Sequence, residues 1–369
     1  MPGARAADSL VVMFVAWRDL RFAKGRFALM GTVIVLLTLL VGLLSGLTAG
    51  LARENVSAIT GLPADRLAFG APPAGGELSF TASVVPEGAW RTWAGRPGVT
   101  AAEPVGISTV NASAGERAAA VSVFGTRPSA GIAPRGDRLD DGQAVLSTAA
   151  AEELGVRPGD AVRVGRDRRL TVAAVEGDAS YSHTPVVWTS LDDWRGLGGP
   201  AEEGATLVVL RGSGVDYAAG DRAAGTRSRT VDESLTALGS YQAENGSLQL
   251  MRGFLFVISA LVTGAFFTVW TIQRAGDVAV LKALGASTGY LLRDALGQAV
   301  VVLVAGTLLG TALAAAAGAL IGGGVPFVLE PLTVLGPAAV MVVLGLLGAA
   351  LSIRRITAVD PLTALGSAR

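Results

Sequence analysis

Few residue types carry chemistry, and this chain places few of them in useful company. It has one histidine, His183, and no cysteine. Thiolate metal sites, cysteine nucleophiles and disulfides are therefore excluded for this chain, and a zinc cluster of the His/Cys kind has too few ligands. Any Ser-His-Asp triad would need His183. Its neighbourhood, Tyr181-Ser182-His183-Thr184-Pro185, reads as a turn ahead of a strand, with no nucleophile elbow nearby. A single titratable residue without flanking partners is read as a surface or structural histidine. The only lysines, Lys24 and Lys282, lie outside any G-x-x-x-x-G-K-[ST] context, so the chain lacks the usual loop for cradling ATP phosphates. No catalytic residue, metal site or intrinsic cofactor is expected. Energy is expected to come from a partner.

The elements around these residues belong to a membrane protein. Of 369 residues, 51% are hydrophobic and 16% charged, against about 25% charged in an ordinary soluble domain. The formal net charge is zero, which gives a nucleic-acid partner no electrostatic support. Four runs contain no ionisable residue: Phe27 to Ala52, Gly253 to Gln273, Ala295 to Leu329 and Pro331 to Ile353. Each reaches the roughly 20 residues that cross a hydrocarbon core as helix. Gly322-Gly323-Gly324-Val325-Pro326 breaks the third run, so that helix is expected to end near Ile321. The first run exceeds the roughly 7–15 apolar residues of a signal peptide and is expected to remain as a span. The expected spans are 27–52, 253–273, 295–321 and 332–353, with a short loop at 322–331.

Basic residues orient the spans in the bilayer. Arg18, Arg21, Lys24 and Arg26 precede the first; Arg274, Lys282 and Arg293 lie between the second and third; Arg354, Arg355 and Arg369 follow the fourth. The third–fourth loop has none. The positive-inside rule then places segments 1–26, 274–294 and 354–369 in the cytoplasm and 53–252 outside. This outer segment mixes short strand and helix signals. Ala161 to Val164 and Leu170 to Val175 alternate at period two around a Gly165-Arg166-Asp167 turn, and Pro185 to Trp188 reads as another strand. Ser147 is expected to cap a short helix that Gly155 ends; Ser190 is expected to cap a second, with Asp193 at the capping-box position. The fold class is thus membrane α-helical, with four transmembrane helices and a large α+β extracytoplasmic domain between the first two.

Four segments carry a family resemblance. Thr271-Ile272-Gln273-Arg274-Ala275-Gly276-Asp277-Val278-Ala279-Val280-Leu281-Lys282-Ala283-Leu284-Gly285-Ala286-Ser287 resembles the segment after the second helix in the FtsX/MacB superfamily of ABC transporter permeases. It departs at Asp277, where the family usually has Glu, and at Ala275-Gly276, where it is usually more basic. Phe14 to Arg21 looks like the family's amphipathic elbow helix, and Arg354 to Leu365 like its ending, with Asp360 and Pro361 suited to start a helix. Ala149 to Asp178 is similar to the family's periplasmic core domain. Within the superfamily, Gly46-Leu47 leading to Glu54-Asn55, Ser182 to Val187 and Tyr241 to Leu248 most resemble the haem-exporting HrtB and DevC-type permeases.

The resemblance implies a permease homodimer with two copies of an ATPase subunit, which supplies ATP hydrolysis. ATPase coupling falls to Arg274, Asp277, Leu281, Lys282, Leu284 and Gly285. Haem is implied as substrate, and Glu54, Tyr181, Tyr241 and Glu244 as its candidate contacts; tyrosine is a known haem ligand type. Read by themselves, Tyr241 is an interfacial aromatic and Glu54 and Glu244 solvated helix ends. Gly42, Gly46 and Gly50 recur at four-residue spacing and allow close helix approach, with Gly306 and Gly310 a similar pair. Export of a peptide antibiotic or lipid, and transmembrane signalling without transport, remain as alternatives.

Overall fold

The computed structural model describes residues 24–73, 76–198, 204–273, 275–321 and 325–357, without the side chains of 24–27, 275, 277 and 353–357. The elbow segment Phe14 to Arg21, Arg274, the Asp277 side chain, the triple glycine and the tail from 358 lie outside the described residues. In chain order the elements are α1 (Lys24–Thr60), β1 (Arg66–Gly70), β2 (Val85–Pro86), α2 (Glu87–Ala94), β3 (Val99–Ala114), β4 (Arg117–Thr126), β5 (Gln143–Leu146), α3 (Thr148–Leu154), β6 (Ala161–Val164), β7 (Arg168–Val175), β8 (Ser180–Tyr181), β9 (Thr184–Ser190), α4 (Leu191–Arg195), β10 (Gly204–Ala205), β11 (Leu207–Gly212), α5 (Tyr217–Ala224), β12 (Thr226–Arg229), α6 (Val231–Ser234), α7 (Gly239–Gln273), α8 (Ala275–Ala283), α9 (Thr288–Ile321) and α10 (Pro331–Thr357). They form two compact units, one of residues 1–50 and 247–369, the other of residues 51–246.

In the first unit, α1, α7, α9 and α10 are each long and apolar enough to cross a membrane. Their outward faces carry exposed leucines and aromatics, among them Leu36, Phe254, Leu261, Leu308 and Leu351. Lipid tails are as apolar as these side chains, so the helices gain little by hiding them from lipid. Small residues bring the helices together instead. A Cβ on Gly42 would stand 2.8 Å from the Ala314 Cβ, and Gly306 lies against Ile34. The Phe327 ring fills the space over both Gly46 and Gly318, and Gly50 abuts the Pro326 backbone. Val328 N–H donates to the Gly46 carbonyl at 3.1 Å. The Gly42/Gly46/Gly50 row therefore packs on the chain's own α9 and on Pro326–Val328. Its spacing signals close approach without saying whose backbone approaches.

In the second unit one mixed sheet runs β12-β1-β11-β3-β4-β9-β5-β7-β6. β6 also pairs with β3 through Ala112↔Val164, which closes six strands into a circuit. Val121, Leu146, Val162, Leu170 and Val187 fill one core there, and a second core gathers Leu67, Phe69, Phe124, Tyr181 and Trp188. Ser147 caps α3 by accepting the Ala150 N–H, and Gly155 ends it in the left-handed region. Gly106 and Gly125 oppose each other across β3 and β4, leaving a flat seat for Trp194, whose indole N–H donates to Ser108.

Ser190 caps α4 as expected by accepting the Asp193 N–H, while Asp193 takes the Ser190 hydroxyl and reaches beyond the cap. Its buried carboxylate accepts the Gly142 N–H at 2.7 Å and pairs with Arg168 at 2.7 Å. Replacing Asp193 with Ala leaves that N–H without its acceptor and is expected to cost about 1–3 kcal/mol; thermal unfolding of the purified protein should show a lower midpoint. Gly46→Leu has no room beside Phe327 and is expected to cost about 1–3 kcal/mol from overpacking, read as reduced thermal stability in detergent.

Candidate functional site

The charge-free runs understate the helices: α9 already begins at Thr288, and two others extend furthest. α1 continues beyond Ala52 through Glu54 and Asn55 to Thr60, and α7 begins at Gly239, well before Gly253. Charge marks where hydrocarbon ends, not where a helix ends. The extra turns, 51–60 and 239–246, belong to the sheet-bearing unit and hold polar residues next to a hairpin.

That hairpin is β8–β9, with Tyr181 paired to Thr184 and Ser182-His183 as its two-residue loop. Both loop residues are left-handed, with φ of 50° and 61°. Paired positive φ values match a turn that ordinarily takes Asn-Gly, and a side chain there costs about 1–2 kcal/mol per residue. Hydrogen bonds offset that strain. Ser182 N–H donates to the Asn55 carbonyl at 2.9 Å, and His183 N–H to the Glu54 carbonyl at 3.3 Å.

The side chains converge as well. His183 Nε2 lies 2.8 Å from Glu244 Oε2, and Asn55 Nδ2 donates to the same oxygen at 2.9 Å. An unprotonated Nε2 would face a carboxylate with a lone pair, so the geometry assigns the ring proton to Nε2, donating to Glu244. Ser240 Oγ donates to Asn55 Oδ1 at 3.0 Å, and the Ser182 and Ser240 hydroxyls lie 3.2 Å apart. Asn55 is fully buried, with both ends of its amide partnered. On the other side of the ring, Nδ1 stands 3.8 Å from Glu54 Oε2, beyond hydrogen-bonding reach.

Of the four residues expected to meet cargo, Glu54 and Glu244 come together about this imidazole. Tyr181 does not join them. Its ring packs edge-on against Phe80 and Phe124 in the core, and burial pushes its phenol up, away from the phenolate that would bind ferric iron. A short strand before a turn gave no sign of that burial. Tyr241, in the first turn of α7, packs against the same core. His183, set aside by the sequence reading, is central. Ser240 and Glu244, four apart and just outside an apolar run, were the available hint. Among the described residues, no three His, Cys, Asp or Glu side chains are placed to hold a bare ion.

The coupling segment forms its own element. α8 ends at Ala283, and Gly285, at φ 95°, occupies the left-handed position after it. Ala286 N–H donates to Leu281 O at 3.0 Å and Gly285 N–H to Lys282 O at 2.9 Å, the paired bonds of a Schellman cap. Ser287 Oγ then accepts the Tyr290 N–H at the start of α9. The Lys-Ala-Leu-Gly-Ala-Ser motif is thus a helix stop followed at once by a helix start. It leaves Val280, Leu281 and Leu284 exposed, Leu284 to 80%.

Four apolar helices and an inserted α+β domain define a multi-pass membrane subunit. Residues 30–226 match the MacB-like periplasmic core domain, and residues 250–361 match the FtsX-like permease C-terminal family. The chain belongs to the FtsX/MacB family of ABC transporter permeases, which work with an ATPase partner. It is 25% identical to the hemin transport system permease protein HrtB of Staphylococcus epidermidis, over 96% of this chain and 99% of that one. An uncharacterised ABC transporter permease of Mycobacterium tuberculosis is 26% identical with the same coverage. Among solved structures, the periplasmic region of MacB from Actinobacillus actinomycetemcomitans aligns with a TM-score of 0.35 at 12% identity, covering 48% of this chain and 94% of that chain.

Asn55→Ala strips Glu244 and Ser240 of a buried partner. It is expected to cost about 1–3 kcal/mol, checked as a drop in the unfolding midpoint that Asn55→Asp does not restore, because a third carboxylate then faces Glu244.

Proposed function

We propose that this permease extracts haem from the outer leaflet, driven by a separate ATPase. Haem is flat, apolar and anionic at one edge, and it partitions into membranes, so its extractor needs polar contacts where the spans leave the bilayer rather than an aqueous tunnel. The observation that carries the reading is the convergence of Glu54 and Glu244, from the extended ends of α1 and α7, on the two sides of the His183 ring. Those are the elements joining the spans to the inserted domain, and Tyr241 shares the second of them. Similarity to permeases named for hemin transport, over nearly the full length of both chains, supports the same cargo. Two copies, each with one ATPase, form the working unit, with both termini and α8 in the cytoplasm.

Coupling runs through α8. Its exposed Val280, Leu281 and Leu284 form an apolar contact for the ATPase, Gly285 sets the angle of departure, and Arg274, Asp277 and Lys282 are the charges the sequence assigns to the same coupling segment. Leu284→Asp is expected to leave the protein folded while transport falls at least tenfold relative to ATP hydrolysis by the assembled complex. Reporter fusions should place Leu284 on the cytoplasmic side and Val175 outside; the reverse would end the reading. Deletion of the gene is expected to sensitise cells to haemin, and unchanged tolerance would remove the cargo assignment.

A further inference from the structure

The β6–β7 hairpin carries charge that the reading above leaves unused. From Ala161 to Arg169 it holds four arginines against one aspartate, in an inserted domain whose carboxylates outnumber its arginines. Strand alternation sorts them. Arg168 turns inward and pairs with the buried Asp193 carboxylate. Arg163 and Arg169 lie on the other face and are exposed, and Arg166 is exposed in the turn. Arg163 and Arg169 stand directly opposite each other across the two strands. Among the described residues, no carboxylate forms an ion pair with Arg163, Arg166 or Arg169. Arg163 Nε donates to Ser113 Oγ at 3.2 Å, which holds that guanidinium by one edge and leaves its terminal nitrogens without a protein partner.

Like charges directly opposite on a sheet repel and destabilise the pair. A threonine or glutamine at either position would meet the needs of an exposed strand without that cost, so the fold alone does not account for the two arginines. The face is also separate from the polar cluster at His183. In the six-strand circuit β3-β4-β9-β5-β7-β6, β6 is three strands from β9 in either direction. Glu54 and Glu244, which lead into the spans, meet the β9 side of that circuit at the 182–183 turn. The arginines therefore lie across the circuit from the residues that lead to the bilayer, which favours a partner in solution over lipid headgroups. Guanidinium geometry narrows its chemistry. One carboxylate is matched by a single planar fork, whereas a tetrahedral phosphate has oxygens for two. Exposed ion pairs are individually weak and screened by salt, so one phosphate alone is held poorly. A chain of phosphates is held better, because each bound group raises the local concentration of the next, and Arg166 offers a third cation at the hairpin tip. We propose that the Arg163–Arg169 face, with Arg166, binds a phosphodiester polymer outside the membrane. The inference rests on the outward placement of the inserted domain and not on the cargo.

The test uses the full-length protein in nanodiscs of zwitterionic lipid, with fluorescently labelled poly(glycerol phosphate) as the probe and anisotropy as the readout. Wild type is expected to bind, and roughly tenfold more weakly when salt is raised from about 0.05 M to about 0.5 M. Arg163→Gln with Arg169→Gln is expected to cost roughly tenfold in affinity, because both forks are lost. Arg227→Gln with Arg229→Gln removes the same charge from exposed positions on β12 and is expected to leave affinity nearly unchanged. Arg169→Gln alone is expected to keep or raise the thermal midpoint, since a repulsion is relieved. Equal losses in the two double variants reduce the effect to net charge and overturn the site. A lowered midpoint in Arg169→Gln makes the pair structural and also overturns it. Equal binding of labelled polyglutamate overturns the phosphate assignment, and tighter binding of phosphatidylglycerol vesicles than of the polymer overturns the choice of partner. Wild type that binds no polymer overturns the whole inference and leaves the haem reading as it stands.

Discussion

In a hydrocarbon layer, apolar side chains gain little by touching each other rather than lipid, so helices are held chiefly by close packing, which small residues permit by letting backbones approach. That constraint organises the membrane-spanning unit. Gly42, Gly306 and Gly310 let α1 and α9 approach, and Gly264 and Gly348 do the same for α7 and α10, with Ser352 and Thr268 hydrogen-bonded beside them. Phe327, wedged against Gly46 and Gly318, closes the α1–α9 contact near the connection to α10. Leu36, Leu261, Leu308 and Leu351 cover the outside, while Leu303 packs inside with Phe267 and Trp270.

The inserted domain obeys the opposite rule, because it is built to be wet. Its strands bury valine and leucine on their inner faces, and buried charge such as the Asp193 carboxylate is met by specific partners. The last turns of α1 and the first turns of α7 are part of it. Asn55 is the telling residue there: fully buried, it bonds Glu244 and Ser240 while its carbonyl receives the Ser182 N–H. Removing water from such groups is costly unless every one finds a partner, and here each does. The polar cluster is thereby both a structural joint and a place where side chains are presented in fixed directions.

Much of this architecture could be read from the sequence because it depends on local rules. The caps at Ser147, Gly155 and Ser190 follow from backbone geometry within one turn. The β6–β7 pair follows from alternation around a three-residue turn. What escaped was long-range. Asn55 and His183 are 128 positions apart, and nothing in either neighbourhood announces the other. Tyr181 entered as a cargo contact through the family resemblance, and nothing in its neighbourhood told that its ring lies in the core. The helix ends at Thr60 and Gly239 were missed because a charged residue stops a hydrocarbon span but not a helix. The glycine row was recognised as an approach surface, yet spacing does not name the partner, and the partner is the chain's own α9.

The caps at Gly285 and Ser287 have a mechanical consequence. Between Ala283 and Thr288 the backbone has almost no slack: one helix is closed off by two carbonyl bonds, and the next is opened by a serine hydroxyl within three residues. A compliant linker would absorb a small push as local wriggling. This elbow is stiff, so a displacement of α8 by an ångström or two reaches α9 as a tilt of its whole axis, and a rigid rod thirty-odd residues long enlarges that tilt into a larger excursion at its far end.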